Sequence, residues 1–301
     1  MMAFVWCVLA ATFIGVCFKL FDRWKVNSIN AIVINYTTCL ILGIIVNDEV
    51  YDLNLKNIIF SPWFRFDILL GFLFMIGFNL TSYSVSKIGL TISVMMLKMS
   101  IILTVAFTVL VFGEKFGWIE FSGFLLAVLA IIAINQKAKS LNKSISPAHR
   151  WLSLGLLLLF AAGIEIVLYY VQKTELVSDH QKLFTTIGFG CAALIGWIII
   201  GISLLAKKTK LNWKDCLAGI LLGIPNYFSV YLILVLLQDG WKGSIVYPLL
   251  NVCVLLLSTL TAVLLFHEAL TTINKLGIVL AILAILIIAF AQNISLWLTS
   301  F

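Results

Sequence analysis

Apolar residues run through this chain in long blocks separated by short polar stretches. Ten apolar windows stand out, near 3–20, 28–46, 67–86, 90–112, 116–135, 151–171, 183–205, 215–237, 244–266 and 273–291. A bilayer core of about 30 Å demands roughly 20 consecutive apolar residues per helix, and each window meets that length. The residues left over supply short connections and tails, so no extramembrane domain fits among them. The pattern predicts an all-α integral membrane protein of ten transmembrane helices. The opening stretch MMAFVWCVLAATFIGVCF lacks the positive start and small-residue cleavage site of a secretory signal, and reads as the first span.

A self-comparison divides these windows. At an offset of 154 residues, VLVFGEKFGWIEFSGFLLAVLAIIAI (109–134) overlies VLLFHEALTTINKLGIVLAILAILII (263–288) with 12 of 26 positions identical. The matches include Phe112 with Phe266, Glu114 with Glu268, Gly123 with Gly277 and Ala127 with Ala281. Leu/Ile-rich sequence produces chance identities, but Phe-x-Glu followed by a correctly placed Gly does not follow from hydrophobicity. The expected organisation is therefore a five-helix repeat over residues 1–135, a polar linker over 136–150 and a second five-helix repeat over 151–301. Five is odd, so the second half enters the membrane from the opposite side. An inverted repeat of this kind places a pseudo-two-fold axis in the membrane plane and suits alternating access around a midplane cavity.

The carrying motifs, Phe112-Gly113-Glu114-Lys115 with Gly123-x-x-x-Ala127 and Phe266-His267-Glu268 with Gly277-x-x-x-Ala281, resemble those of EamA-type members of the drug/metabolite transporter superfamily. The resemblance covers nearly the whole chain, and Lys19 stands where the family's first helix often carries a lysine. It implies that helices 1–4 and 6–9 surround a cavity while 5 and 10 buttress it. Many members have a proline 14 residues before each Glu, where this chain has Ser100 and Val254. Any helix break is therefore expected elsewhere.

Composition agrees with the membrane reading: 62% of residues are hydrophobic and 11% charged, against about 45–50% and 25% in soluble domains. A net charge of +7 would suggest nucleic acid in a soluble chain, but these Lys and Arg residues lie mainly in short loops, where membrane orientation explains them. Loops after helices 1, 5 and 7 carry ten of them and loops after 2, 4, 6 and 8 carry six. That count alone puts both termini outside, whereas the resemblance implies cytoplasmic termini, the orientation adopted here. The implied location is multi-pass in the cell membrane, the inner one if the cell is prokaryotic. The six cysteines lack a C-x-x-C pair, and His149, His180 and His267 are far apart, so no metal site or other cofactor is indicated.

The scarce intramembrane polar groups are the candidate site residues. A charge at the bilayer centre costs about 2.5–3.5 kcal/mol on insertion scales. Lys98 and Glu165 lie too deep in their windows to escape easily to an interface, so each is a candidate for contacting substrate or carrying a proton; the alternative is a structural ion pair or hydrated side chain. Asn79 and Tyr83 in the third span, Asn226 and Tyr227 in the eighth and Asn251 in the ninth suggest a polar cavity, with interhelical glue as the alternative. Lys19 joins them through the resemblance, or simply snorkels. Pro225 and Pro248, with Gly71 at the position matching Pro225, are helix-break candidates. Glu114 and Glu268 are expected to cap the fifth and tenth helices. Gly123, Ala127, Gly277 and Ala281 are expected to serve close helix packing, either internally or as a homodimer face through helices 5 and 10.

The function these features point to is secondary transport of small polar metabolites such as amino acids, by an exporter or exchanger using a proton or counter-substrate. No G-x-x-x-x-G-K-[ST] motif is present for ATP. Competing readings are a passive permease or channel, and a membrane-embedded enzyme, which would need a convergent cluster of Asp, His or metal-binding residues that the sequence lacks.

Overall fold

The structure, a computed structural model, describes residues 2–47, 58–88, 90–114, 116–134, 147–177, 180–205, 210–266 and 271–290. Among the described residues the regular secondary structure is all helix, without strands. The helices are α1 (Met2–Trp24), α2 (Ser28–Val46), α3 (Phe64–Lys87), α4 (Leu90–Met99), α5 (Ile101–Phe112), α6 (Trp118–Ile134), α7 (Pro147–Lys173), α8 (Gln181–Leu205), α9 (Trp213–Gln238), α10 (Gly243–Phe266) and α11 (Thr272–Ala289). Six contain stretches long and apolar enough to cross a membrane, in α2, α3, α7, α8, α9 and α10. Shorter apolar stretches occupy Met2–Phe18, Met96–Phe112, Trp118–Ala133 and Thr272–Ile288.

Two compact units form. Unit 1 comprises Met1–Ser82 and Gly163–Asp239; unit 2 comprises Tyr83–Ala162 and Gly240–Phe301. Each takes residues from both sides of the polar stretch 136–150, of which 136–146 lie outside the described residues. Compactness thus groups the helices differently from their order along the chain.

In unit 1, α2 packs on α8 and α9, and α1 packs on α9. Its core joins Tyr36, Phe74, Phe184, Phe189 and Tyr227, all nearly inaccessible. Glycine permits the α2–α9 contact: a Cβ at Gly223 would lie 2.6 Å from Thr38 Cβ and 2.8 Å from the Asn35 carbonyl oxygen. Lipid offers little hydrophobic drive between helices, so van der Waals packing at such close approaches must supply it.

Unit 2 is built on α6 packed along α11. Ala127, Ala130, Ala281 and Ala284 are fully buried there, and a Cβ at Gly123 would come within 2.6 Å of Ile288 Cγ1. Gly277 is buried on the same helix as Ala281. The small residues singled out in both fifth and tenth spans therefore line contacts within the chain. The Asn274 amide also donates to the Ala133 carbonyl at 3.3 Å, tying the start of α11 to the end of α6.

Candidate functional site

The fourth apolar window is where the chain departs most from a plain span. It is broken into α4 and α5 at Ser100, the position from which the missing family proline had seemed to exclude a break. The Ser100 hydroxyl donates to the Leu97 carbonyl at 2.7 Å, and its amide reaches the same oxygen at 3.4 Å. That carbonyl is the acceptor the Ile101 amide would use in a continuous helix. A serine side chain can therefore interrupt the ladder by local competition, without removing an amide as proline does.

Lys98 sits in the last turn of α4, where the carbonyl end of a helix favours a cation. Its ammonium donates to Asn251 Oδ1 of α10 at 3.0 Å. Asn251 is 8% exposed and Lys98 half-buried. Both belong to unit 2. The arrangement brings together a cation, an amide and the joint between two half-helices, where the Leu97 carbonyl accepts from Ser100 and the Ser100 carbonyl accepts from the amides of Leu103 and Thr104.

Glu114 contributes a support in the same unit. Gly113 ends α5 in the left-handed region at φ 63°, a conformation glycine adopts without a Cβ clash. The chain then turns so that Glu114 Oε1 and Oε2 accept from the amides of Gly243 and Ser244 at 3.0 and 2.8 Å. This corrects the expected role: Glu114 caps α10, the ninth span, rather than the fifth. The motif residues Gly113 and Glu114 thereby anchor the helix that carries Asn251. Glu268 lies outside the described residues.

The helix-break candidates also need correction. Helix α3 runs unbroken through Gly71, and α9 and α10 run through Pro225 and Pro248. At Gly71 a Cβ would lie 2.7 Å from Cys191 Cβ, so the glycine serves close approach of α8. Pro225 deprives the Leu221 carbonyl of its helical donor, and Cys17 Sγ lies 3.8 Å from that oxygen. One lost bond within an otherwise packed helix is insufficient to end it.

The amides expected to form a common polar cluster separate into local partnerships. Asn79 donates to the Met75 carbonyl of its own helix at 2.7 Å. Asn226 donates to Asn35 Oδ1 of α2 at 3.2 Å, and Cys39 beside it donates to the Gly223 carbonyl at 3.2 Å. Tyr227 is fully buried, stacked on Tyr231 with ring centroids 6.3 Å apart. Tyr83 is 45% exposed. Glu165 is half-buried on α7 in unit 1. Lys19 is on α1, its side chain outside the described residues.

Asp67 is the residue that sequence reasoning overlooked. It lies in the first turn of α3, is 0% exposed, and neither carboxyl oxygen has a hydrogen-bond partner. Its Oδ1 lies 3.1 Å from where a Cβ on Gly188 of α8 would stand. The same α3–α8 contact that needs Gly71 against Cys191 thus encloses a carboxyl group. Its position at the edge of an apolar window disguised it as an interfacial charge.

Comparison with known proteins adds to this geometry. Residues 1–136 match the model of the EamA-like transporter family. An uncharacterized protein of Haemophilus influenzae is 24% identical over 298 residues, spanning 96% of this chain and 98% of its own. A crystal structure described only as that of a protein shares the fold, with TM-score 0.72 and 13% identity over 95% of this chain and 94% of that one.

Proposed function

Since the chain is an EamA-type membrane protein of the drug/metabolite transporter superfamily, matched over residues 1–136, we propose that it is a secondary active transporter of small polar metabolites such as amino acids. It works by alternating access as an exporter or exchanger, with its ten spans forming two inverted five-helix repeats. The observation that carries this reading is the Lys98–Asn251 contact, 3.0 Å long, beside the break at Ser100. Discontinuous helices at midplane commonly receive substrate at their ends. Lys98 with the amide end of α5 suits a substrate carboxylate, and Asn251 orients the lysine. Glu165 and Asp67 are the carboxyl groups available to bind and release a coupling proton. The protein resides in the cell membrane, the inner membrane if the cell is prokaryotic, with both termini cytoplasmic. A fluorescent reporter fused after Phe301, emitting only in the cytoplasm, checks that orientation.

Counterflow of labelled amino acids and related metabolites into preloaded proteoliposomes tests the function. Wild-type protein accelerates exchange of at least one, and Lys98→Ala lowers it by about tenfold or more, as loss of one charged hydrogen bond implies. Full activity in both Lys98→Ala and Glu165→Gln would remove these residues from the mechanism. Absence of counterflow across the panel would count against the transporter reading itself.

A further inference from the structure

The seam between α1 and α9 in unit 1 has a polar cavity at one end and an apolar groove along its length. The two helices run antiparallel: Cys7 Sγ lies 3.5 Å from the Ser229 carbonyl oxygen, and Cys17 Sγ 3.8 Å from that of Leu221. Where α1 ends and α9 begins, a cavity of about 490 Å³ is lined by Trp24, Lys25, Asn212, Trp213, Lys214 and Asp215. Farther along the seam lies a groove of about 510 Å³, walled only by apolar side chains, among them Trp6, Ala10, Phe13, Leu221, Pro225 and Phe228. Ala10 and the Pro225 ring carry no long side chain, which leaves a channel between the flanking aromatics.

Three features make the cavity a built site rather than a chance concavity. Asp215, 1% exposed, accepts from the Asn27 amide and the Asn30 side chain at 2.9 Å each, and from the Asn212 amide at 3.3 Å. Its carboxylate therefore clamps the two loops together and is occupied in doing so. Lys25 stands at φ 53°, the left-handed position after a helix that glycine normally fills. Val26 donates to the Phe21 carbonyl at 3.1 Å across that turn. A non-glycine residue held in this conformation is strained, and such strain persists only where the surrounding contacts fix the backbone. Finally, Trp24 and Trp213 are 41% and 69% exposed beside the two exposed lysines, the pairing of ring and cation found at headgroup level.

We propose that this seam binds one anionic phospholipid. Its phosphate sits between Lys25 and Lys214, its glycerol backbone lies against Trp24 and Trp213, and one acyl chain follows the seam into the groove. One leaflet of hydrocarbon is about 15 Å deep, and at 1.5 Å per residue the near end of the groove lies at about that depth, Phe13 about 16 Å along α1 from Trp24 and Leu221 about 12 Å along α9 from Trp213. The methyl end of the chain thus enters the near end of the groove, between Phe13 and Leu221. This inference requires only that the protein spans a membrane, and stands independently of what it transports.

Native mass spectrometry of the purified full chain tests it, using micelles doped with phosphatidylglycerol or with phosphatidylcholine of the same acyl composition. The expected result is one retained phosphatidylglycerol per chain and a clear preference over phosphatidylcholine. Each lysine near a membrane surface contributes about a fivefold gain for anionic lipid, so Lys25→Gln with Lys214→Gln lowers that preference by more than tenfold, whereas Lys275→Gln leaves it unchanged. Leu221→Trp, which fills the near end of the groove, weakens retention of both lipids. Lys25→Gly separates binding from folding: it relieves the strained turn and raises the unfolding temperature while lowering phosphatidylglycerol retention. Equal retention of the two lipids by wild type, an undiminished preference in the double lysine variant, or displacement of the lipid by inorganic phosphate at equal concentration would each overturn the proposal.

Discussion

Helix α9 around Pro225 and the α4–α5 segment around Ser100 invert the usual expectation about helix breaks. The first contains a proline and continues from Trp213 to Gln238; the second contains none and stops after Met99. The difference lies in what surrounds the weakened backbone. Pro225 is buried in a helix packed on α1 and α2, so one missing bond is outweighed by contacts along both faces. At Ser100 the side chain itself occupies the carbonyl of the preceding turn, and Lys98 next to it is drawn out to Asn251. A break therefore arises where local competition and a tertiary polar partner act together.

Substitutions sharpen this contrast, all read as unfolding free energy in detergent micelles. Ile220→Pro has the largest expected effect, about 3 kcal/mol or more, because it adds a second defect to α9 at a residue 44% exposed, so lost core packing contributes little. A negligible loss would mean that α9 tolerates breaks as α4–α5 does. Asn251→Leu comes next, at about 1.5–3 kcal/mol, since it removes an acceptor from a charged donor. Asn226→Leu, which removes the neutral bond to Asn35, costs about 1 kcal/mol. If these two losses were equal, the charge on Lys98 would not distinguish its region. The smallest effect is expected for Ser100→Pro, under about 1 kcal/mol against the usual 3 for a helix interior. The backbone there already has φ −52°, within proline's range, and its amide makes only a 3.4 Å contact. A loss as large as that of Ile220→Pro would show that the chain at Ser100 behaves as continuous helix, with no break to absorb the proline.

How far the candidate site was legible follows from the same residues. Lys98 and Asn251 were visible individually because a charge and an amide are costly inside an apolar window. Their pairing was not, because they are separated by 153 positions and nothing in either window specifies the other. Asp67 was missed for the opposite reason: a carboxylate at a window's edge looks hydrated, and only the close approach at Gly71 and Gly188 removes the water. Glu114 was recognised as a helix cap, but the helix it caps depends on the left-handed turn at Gly113 and on where α10 begins.

The sequence by itself determined that the chain is a multi-pass bundle of apolar helices, because the length and hydrophobicity of each window are local properties that a bilayer reads one segment at a time. Its motif residues also pointed to the transporter family whose model matches residues 1–136. Tertiary structure alone decided which polar groups meet, which glycines admit a neighbouring backbone, and that a serine rather than a proline divides the fourth span. Those outcomes depend on which surfaces are brought within hydrogen-bonding or van der Waals distance, information that is distributed over helices remote in sequence and contained in none of them singly.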